Sequence, residues 1–193
     1  MPVTAKVKLQ NLDNVIVQKF SDLPVLYNGM EQMIGIYLEI FKGMKNEREA
    51  KEWFTGKVAS GRISQYFVAR LKSSDDWHGL PLRDETLAYI LWTEHGGFRP
   101  AAYVELEQVA TKEEYQKNGI GSMLITKSFA YVKQSIEKRG AWLATLKVTT
   151  GEQNVRAQKM YRKILGVEIE RRVPSPYHPG EWEVEMFARF TKP

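Results

Sequence analysis

The chain has 193 residues, of which 43% are hydrophobic and 26% are charged, and its formal net charge is +5. These proportions are typical of a soluble globular protein, and the length suits one well-buried domain better than two. The lack of cysteine excludes a disulfide framework, a thiolate metal site and a cysteine nucleophile. The three histidines (His78, His95 and His178) are too widely spaced to suggest a zinc site, so we expect no metal.

No apolar run approaches the roughly 20 residues of a membrane span, and the N-terminus lacks a signal-like apolar core. We therefore expect a cytoplasmic protein without a membrane partner. The positive charge permits a polyanionic partner. The basic residues cluster in the segment 154–165, but no basic run exceeds two residues and no helix-turn-helix or RNA-binding signature is evident. Nucleic acid is thus a disfavoured partner that the sequence leaves open.

The N-terminal half predicts two helices between strands. After a loose start over residues 1–14, a strand is predicted at 15–20 and a helix start at Ser21–Pro24. Apolar residues at helical spacing continue to Phe41, and Gly43 ends that helix. Asn46 is the expected N-cap of a second helix, which Gly61 ends. The predicted elements that follow are a strand at 65–71, a polar loop at 73–84, a strand at 85–93 and a turn at 95–97.

The next stretch predicts a strand, a short turn and a long helix. Tyr103–Thr111 is predicted to be a strand that begins near Ala101, and Gln116–Gly121 is the turn. Apolar residues recur along one helical face from Ile125 to Ile136, and Gly140 ends the helix. Helix 121–139 then returns the chain to a parallel strand at 143–149.

A glycine-containing turn before a helix is suited to an anion. The first amides of a helix lack intrahelical partners and carry the positive end of the helix dipole. Gly119 and Gly121 have no Cβ, so a phosphate can come close to those N–H groups. Tight packing alone is the alternative explanation of the two glycines. Leu124 excludes the dinucleotide-binding G-x-G-x-x-G pattern, and no Gly-Lys-Ser/Thr follows as in a P-loop.

The C-terminal part predicts a helix at 154–165 and a final antiparallel pair at 168–172 and 181–190. Strands in hairpin order followed by strand–helix–strand–helix indicate a mixed sheet rather than a doubly wound one. The expected fold is α/β, with a mostly antiparallel central sheet flanked by helices on both faces.

Two motifs resemble the GNAT superfamily of acyl-CoA-dependent N-acyltransferases. The turn sequence QKNGIG resembles the family motif Q/R-x-x-G-x-G/A, and Asn154–Tyr161 resembles the family segment N-x-x-A-x-x-x-Y. The resemblance covers residues 85–190 well and the N-terminal half in outline. It implies a GNAT fold and a coenzyme A site. The loop residues that would hold the pyrophosphate are Gln116, Lys117, Asn118, Gly119, Ile120, Gly121 and Ser122, and Asn154 would hold the pantetheine arm.

Side-chain alternation places Glu105, Glu107, Val109 and Thr111 on one face of the central strand. Two carboxylates there indicate either a solvated or salt-bridged face or a general base. The resemblance favours Glu105 as the base, because Glu105 lies eleven residues before Gln116, as the catalytic glutamate does in histone-type members. Glu107 remains a rival. The resemblance also implies that the backbones of Val109 and Thr111 hydrogen-bond the pantetheine like an added strand.

Three aromatic residues are further candidates. Tyr161 lies on the buried stripe of its helix, so it is either a core residue or, as the resemblance implies, the acid near the thioester sulfur. Gly166 follows it by five residues, whereas family members usually have four. Tyr177 and His178, in the proline-rich connection 174–180, either contact the acceptor substrate or belong to a stiff hairpin.

The sequence therefore predicts one GNAT-like domain over residues 1–193, acting as an N-acetyltransferase. Acetyl-CoA would be the co-substrate, and a small-molecule or peptide amine the acceptor. The amine would attack directly in a ternary complex, without an acyl-enzyme. The alternatives are a non-catalytic acyl-CoA-binding module and a nucleic-acid-directed acyltransferase or binder. The expected assembly is a monomer or a homodimer.

Overall fold

The computed structural model describes residues 6–9, 11–23, 29–41, 46–71 and 85–192. The strands in these ranges are Val15–Lys19 (β1), Ser64–Leu71 (β2), Thr86–His95 (β3), Ala101–Thr111 (β4), Trp142–Gly151 (β5), Glu168–Pro174 (β6) and Trp182–Arg189 (β7). The α-helices are Gly29–Ile40 (α1), Glu47–Ala59 (α2), Ile120–Glu137 (α3) and Val155–Leu165 (α4).

The strands form a seven-stranded sheet in the order β1-β2-β3-β4-β5-β7-β6. β4 and β5 pair in parallel, because α3 carries the chain back to the same end of the sheet. β1 pairs antiparallel with β2, and β7 pairs antiparallel with both β5 and β6. The mixed, mostly antiparallel sheet that the sequence predicts is thus confirmed.

The helix start predicted at Ser21–Pro24 stays a prediction, because residues 24–28 lie outside the described part of the chain. Phe20–Asp22 form a short 3₁₀ turn, and α1 is described only from Gly29. Pro24, Gly43 and the predicted loop 73–84 lie outside the described residues. The predicted N-cap of α2 is confirmed, because the Asn46 side chain accepts a hydrogen bond from the Glu49 amide at 2.9 Å.

The chain divides into two compact units. The first comprises residues 1–91 and 108–128, and the second comprises residues 92–107 and 129–193. In the first unit, Phe54 of α2 is at the centre of an aromatic cluster. Its ring meets Tyr37 and Tyr89 edge-on and stacks on Tyr66 at 5.4 Å. The apolar stripes predicted for α1 and α2 therefore pack as a core.

In the second unit, the C-terminal part of α3 covers one face of the sheet. Phe129 stacks on Trp92 of β3 with 5.5 Å between ring centroids. Arg139 forms two hydrogen bonds, at 2.8 and 2.5 Å, with the buried carboxylate of Glu94. Trp92 and Glu94 face this part of α3. Because side chains alternate along a strand, Thr93 and His95 project from the opposite face of β3.

Within the described ranges, no helix has both the length and the apolar character needed to cross a bilayer. The same ranges hold no group of three or more His, Asp or Glu side chains placed to bind a metal ion.

Candidate functional site

The turn into α3 contains two residues in the left-handed region of backbone space. Lys117 has φ 69° and Gly119 has φ 82°. A lysine is rarely found there, and such a conformation persists only where the surroundings hold it. α3 begins at Ile120, and its first turn contains no acidic residue. The first amides of an 18-residue helix thus open onto this turn without a competing carboxylate from the helix itself.

The side chain of Asn118 binds the N-terminal segment rather than remaining directed at a ligand. Its amide nitrogen donates to the carbonyl oxygens of Val7 at 2.8 Å and Tyr115 at 3.0 Å. Its oxygen accepts from the amide of Leu9 at 3.0 Å. The amide of Val7 also donates to the carbonyl oxygen of Glu114 at 2.8 Å. Within the segment predicted to be loose, residues 6–9 are therefore bonded to the turn.

A second set of contacts fixes the start of the turn. The ammonium of Lys112 lies 2.5 Å from one oxygen of Glu85, and the hydroxyl of Tyr115 donates to the other at 3.0 Å. Desolvation, together with the hydrogen bond to Glu85, raises the pKa of Tyr115 to about 12. The hydroxyl therefore stays protonated and keeps donating at neutral pH. The turn is anchored on both sides before any ligand arrives.

Gly121, at the start of α3, is not held to glycine by its protein neighbours. A Cβ added there would have the side-chain oxygen of Thr111 as its nearest protein neighbour, at 3.7 Å, an ordinary contact. Packing of the described chain therefore does not require glycine at this position. Gln116 donates from its side chain to the carbonyl oxygen of Thr111 at 3.3 Å, tying the turn to β4.

The alternation of β4 changes between Glu107 and Gln108. Glu107 accepts from the hydroxyl of Thr93 at 2.5 Å, and Gln108 accepts from the hydroxyl of Tyr89 at 3.1 Å. Thr93 and Tyr89 are four residues apart on β3 and point the same way, yet their partners are adjacent on β4. Two adjacent residues on one side of a strand are typical of a β-bulge. The face predicted to carry Glu105, Glu107, Val109 and Thr111 therefore divides after Glu107.

In the second unit, a row of alternating charge crosses five strands. The Nε2 atom of His95 (β3) lies 2.7 Å from Oε2 of Glu105 (β4). The Lys147 ammonium (β5) lies 3.2 Å from Oε1 of Glu105 and 2.9 Å from Glu185 (β7). The other oxygen of Glu185 lies 2.9 Å from Arg171 (β6). Glu105 is thus salt-bridged, which is one of the two interpretations of the strand carboxylates. It also lies beside a histidine.

The row is held in place by mutual attraction. Burial alone lowers the pKa of the Lys147 ammonium, but hydrogen bonds and attraction to Glu185 and Glu105 outweigh it and raise the pKa overall. Lys147 is therefore a fixed cation. The ring of Tyr103 lies 5.1 Å from that of His95, and burial, the largest influence, raises the pKa of Tyr103.

The second predicted motif, Asn154–Tyr161, forms the N-cap and the first turns of α4. The side-chain oxygen of Asn154 accepts from the amide of Ala157 at 3.2 Å, which makes Asn154 the N-cap. Gly166 ends the helix in the left-handed region with φ 67°. Tyr161 is buried between these ends, and burial raises its pKa to about 12. Its hydroxyl stays protonated across the neutral range.

Tyr177 and His178 lie apart on the hairpin connection between β6 and β7. The hydroxyl oxygen of Ser175 accepts from both of their amides, at 3.3 and 3.2 Å, and Ser175 donates to Glu183 at 2.9 Å. Tyr177 is 72% exposed. The connection is a hydrogen-bonded turn that presents an aromatic ring to solvent, which agrees with either prediction for these residues.

Sequence reasoning missed several members of the charged row: His95, Lys147, Arg171 and Glu185. The signal that could have found them is the opposite charge on neighbouring strands. Lys147 lies directly opposite Glu105 in the parallel register, and Arg171 lies opposite Glu185 in the antiparallel one. Without the strand order, nothing in the sequence specifies these pairings.

The model of the acetyltransferase (GNAT) family matches residues 32–167 of the chain. The chain belongs to the GNAT family of acetyltransferases. The matched segment includes the turn Gln116–Gly121, the carboxylates of β4 and the motif of α4. No curated protein matches the sequence.

Solved structures of acetyltransferases share the GNAT fold of this chain. Arabidopsis thaliana NAA60, solved with acetyl-CoA, is 15% identical, with a TM-score of 0.66 over 91% of this chain and 98% of that one. Ard1 from Thermoplasma volcanium is 12% identical, with a TM-score of 0.66 over 93% and 99%. The ribosomal-protein-S18-alanine N-acetyltransferase of Escherichia coli is 16% identical, with a TM-score of 0.62 over 93% and 96%.

Proposed function

We propose that this GNAT protein transfers an acetyl group from acetyl-CoA to a primary amine by direct attack in a ternary complex. The observation that carries the proposal is the turn into α3. The family match and the N-terminus of a long helix coincide there, and packing of the described chain does not require the glycine at position 121. Acetyl-CoA would supply the acetyl group in an activated form, and the chain would bind, orient and exchange protons.

The cofactor would be held along the turn and β4. The backbone amides of Gln116–Ser122 would bind the pyrophosphate, since a helix N-terminus with glycines suits an anion. The backbones of Val109 and Thr111 would hydrogen-bond the pantetheine arm as if it were an added strand. Asn154 would contact the same arm from its position before α4.

The amine needs a proton acceptor. An amine with a lysine-like pKa near 10.4 is neutral in only roughly one molecule in a few thousand at pH 7. The proposed site of proton removal is Glu105, and Glu107 is the alternative carboxylate on the same strand. Glu105 belongs to the charged row, whereas Glu107 is bonded to the hydroxyl of Thr93.

Tyr161 would assist the departing sulfur as a hydrogen-bond donor. With a pKa of about 12, full proton transfer to a thiolate of ordinary pKa, about 8.5, is uphill by roughly 3–4 pKa units, or about 5 kcal/mol. A hydrogen bond to the developing charge avoids that cost while still stabilising the departing sulfur. This refines the acid role predicted for Tyr161.

The proposed acceptor is a small-molecule amine or the amine of a peptide or protein. One similar structure is an alanine N-acetyltransferase for a ribosomal protein, which makes a protein amine a reasonable first substrate to test. Tyr177 and His178 would line the acceptor pocket. The presence of both Glu105 and Tyr161 argues against a module that binds acyl-CoA without turnover.

The test is thiol release from acetyl-CoA, measured against a panel of amines, peptides, polyamines and nucleic acids. We expect release with one amine class, and we expect Glu105→Gln or Tyr161→Phe to lower turnover roughly 10²–10⁴-fold with nearly unchanged coenzyme A affinity. Glu107→Gln is the matched control on the same strand and should cost much less. The Glu105→Gln rate should recover toward pH 9, where more of the amine is neutral.

If Glu107→Gln is the variant that loses turnover instead, the carboxylate at the site of proton removal is Glu107, two residues further along β4. If the wild-type protein binds coenzyme A and releases no thiol with any acceptor, the binding-module alternative replaces the enzyme.

A further inference from the structure

His95 lies at the end of β3 with its ring bound to Glu105. The distance from Nε2 to Oε2 is 2.7 Å, a short hydrogen bond. The ring also lies against Tyr103, with the ring planes inclined at 43°. A strand position, a hydrogen bond and an aromatic neighbour together fix the orientation of the imidazole.

The hydrogen bond to Glu105 decides which ring nitrogen of His95 carries the hydrogen and which keeps a lone pair. An ionised carboxylate can only accept hydrogen bonds, so Nε2 of His95 must carry the hydrogen in this contact. In the neutral ring Nδ1 is then the unprotonated nitrogen. A proton taken up at Nδ1 makes an imidazolium, whose charge the Glu105 carboxylate stabilises directly. The same logic applies wherever a carboxylate orients a histidine base.

Glu105 is the less accessible member of the pair. Its second oxygen faces the Lys147 ammonium at 3.2 Å, so both oxygens have partners. The Glu105 side chain is 16% exposed, whereas the His95 side chain is 40% exposed. A substrate amine, which arrives from solvent, therefore meets the imidazole more readily than the carboxylate.

We infer that His95 is a catalytic residue that takes the proton from the acceptor amine, and that Glu105 is its positioning residue. This inference rests on the proposed function and assigns proton acceptance within the pair to the imidazole. Lys147 keeps Glu105 in place by holding the oxygen that His95 does not use.

The proton balance is as follows. One N–H bond of the ammonium breaks, an Nδ1–H bond forms on His95, and the positive charge passes from the amine to the imidazolium. The neutral amine forms the new C–N bond as the C–S bond breaks. A second N–H proton ends on the departing sulfur as a thiol. His95 returns its proton to water through its exposed edge, so one proton is released in each turnover.

The experiment is chemical rescue in the thiol-release assay, with wild-type turnover established first. His95→Ala removes the base and leaves a space for free imidazole. We expect turnover to fall roughly 10²-fold or more, added imidazole to restore a measurable part of it, and coenzyme A affinity by calorimetry to stay unchanged. His95→Gln can still donate to Glu105 but cannot take up a proton, so it should be as slow as His95→Ala.

Several results would overturn the inference while wild-type turnover keeps the proposed function intact. One is a His95→Ala rate near wild type. Another is a His95→Gln variant with near wild-type activity, which would make His95 only a hydrogen-bond donor to Glu105. A third is rescue of Glu105→Ala by formate without any rescue of His95→Ala by imidazole. That result would make Glu105, rather than His95, the proton acceptor. Should His95→Ala fail to fold, His95→Gln alone decides by the same criterion.

Discussion

Lys147 lies directly opposite Glu105 in the parallel register of β4 and β5, and its ammonium is 3.2 Å from the carboxylate. The same ammonium lies 2.9 Å from Glu185 on the other neighbouring strand. One cation therefore serves two carboxylates that are 16% and 14% exposed. Breaking such a partly buried set is costly, because the groups left behind keep their desolvation without their partner.

Lys147→Met should lower the free energy of unfolding by roughly 1–3 kcal/mol, since it leaves Glu105 and Glu185 without their shared cation. Urea unfolding followed by circular dichroism measures the change. The exposed Lys133→Met is the matched control and should stay within about 0.5 kcal/mol of wild type. Equal stabilities of the two variants would show that the Lys147 contacts contribute nothing.

Tyr161 should make the fold sensitive to alkaline pH. Its folded-state pKa is about 12 and its ordinary value is 10.0, so on raising the pH the unfolded state loses the proton first. This contribution to stability is complete below pH 10 and is lost as the pH rises towards 12. Between pH 10 and pH 12, the free energy of unfolding should fall by roughly 2–3 kcal/mol more for wild type than for Tyr161→Phe. Parallel stability curves of the two proteins, from urea unfolding at each pH, would contradict this origin.

Gly121→Val should weaken coenzyme A binding roughly tenfold or more, about 1.4 kcal/mol, because the new side chain fills the space beside the turn. The fold should survive, since the first added carbon meets its nearest protein atom at 3.7 Å. Calorimetry with coenzyme A is the measurement. Gly56→Val, inside α2 with open space around it, is the control and should leave the affinity unchanged. Unchanged affinity in folded Gly121→Val would remove the assignment of this turn.

Asn118→Ala should raise the KM for acetyl-CoA roughly 3–10-fold and leave kcat nearly unchanged, because Asn118 shapes the turn without reaching the reacting atoms. The steady-state rate at varied acetyl-CoA gives both constants. Asn46→Ala is the control: it removes a similar side-chain-to-amide bond at α2, costs about 1 kcal/mol of stability and should not change KM. Equal KM values would show that the bonds to Val7 and Leu9 do not influence the cofactor site.

The sequence predicts most of the fold because apolar periodicity, N-cap residues and helix-ending glycines involve only residues close together in the chain. The N-cap at Asn46 and the glycine end of α4 follow directly from residue type. The charged row does not, because its members become neighbours only when the strand order is known. The change of alternation in β4 also has no sequence signal, since Glu107 and Gln108 are both ordinary strand-surface residues. A strict period of two therefore fails after Glu107.

The change of alternation after Glu107 also affects how this strand can vary during evolution. In an unbroken strand, a one-residue insertion turns every later side chain to the other face. Here β4 already holds one extra residue between its two ends, so a one-residue insertion or deletion before the bulge can be absorbed there without turning the residues after it. Natural variation can thus retune the carboxylate end for a new acceptor while the end that leads into the glycine turn keeps its sequence. Across related proteins, we expect the β4 residues before Glu107, apart from Glu105, to diverge faster than those from Gln108 to Gly121.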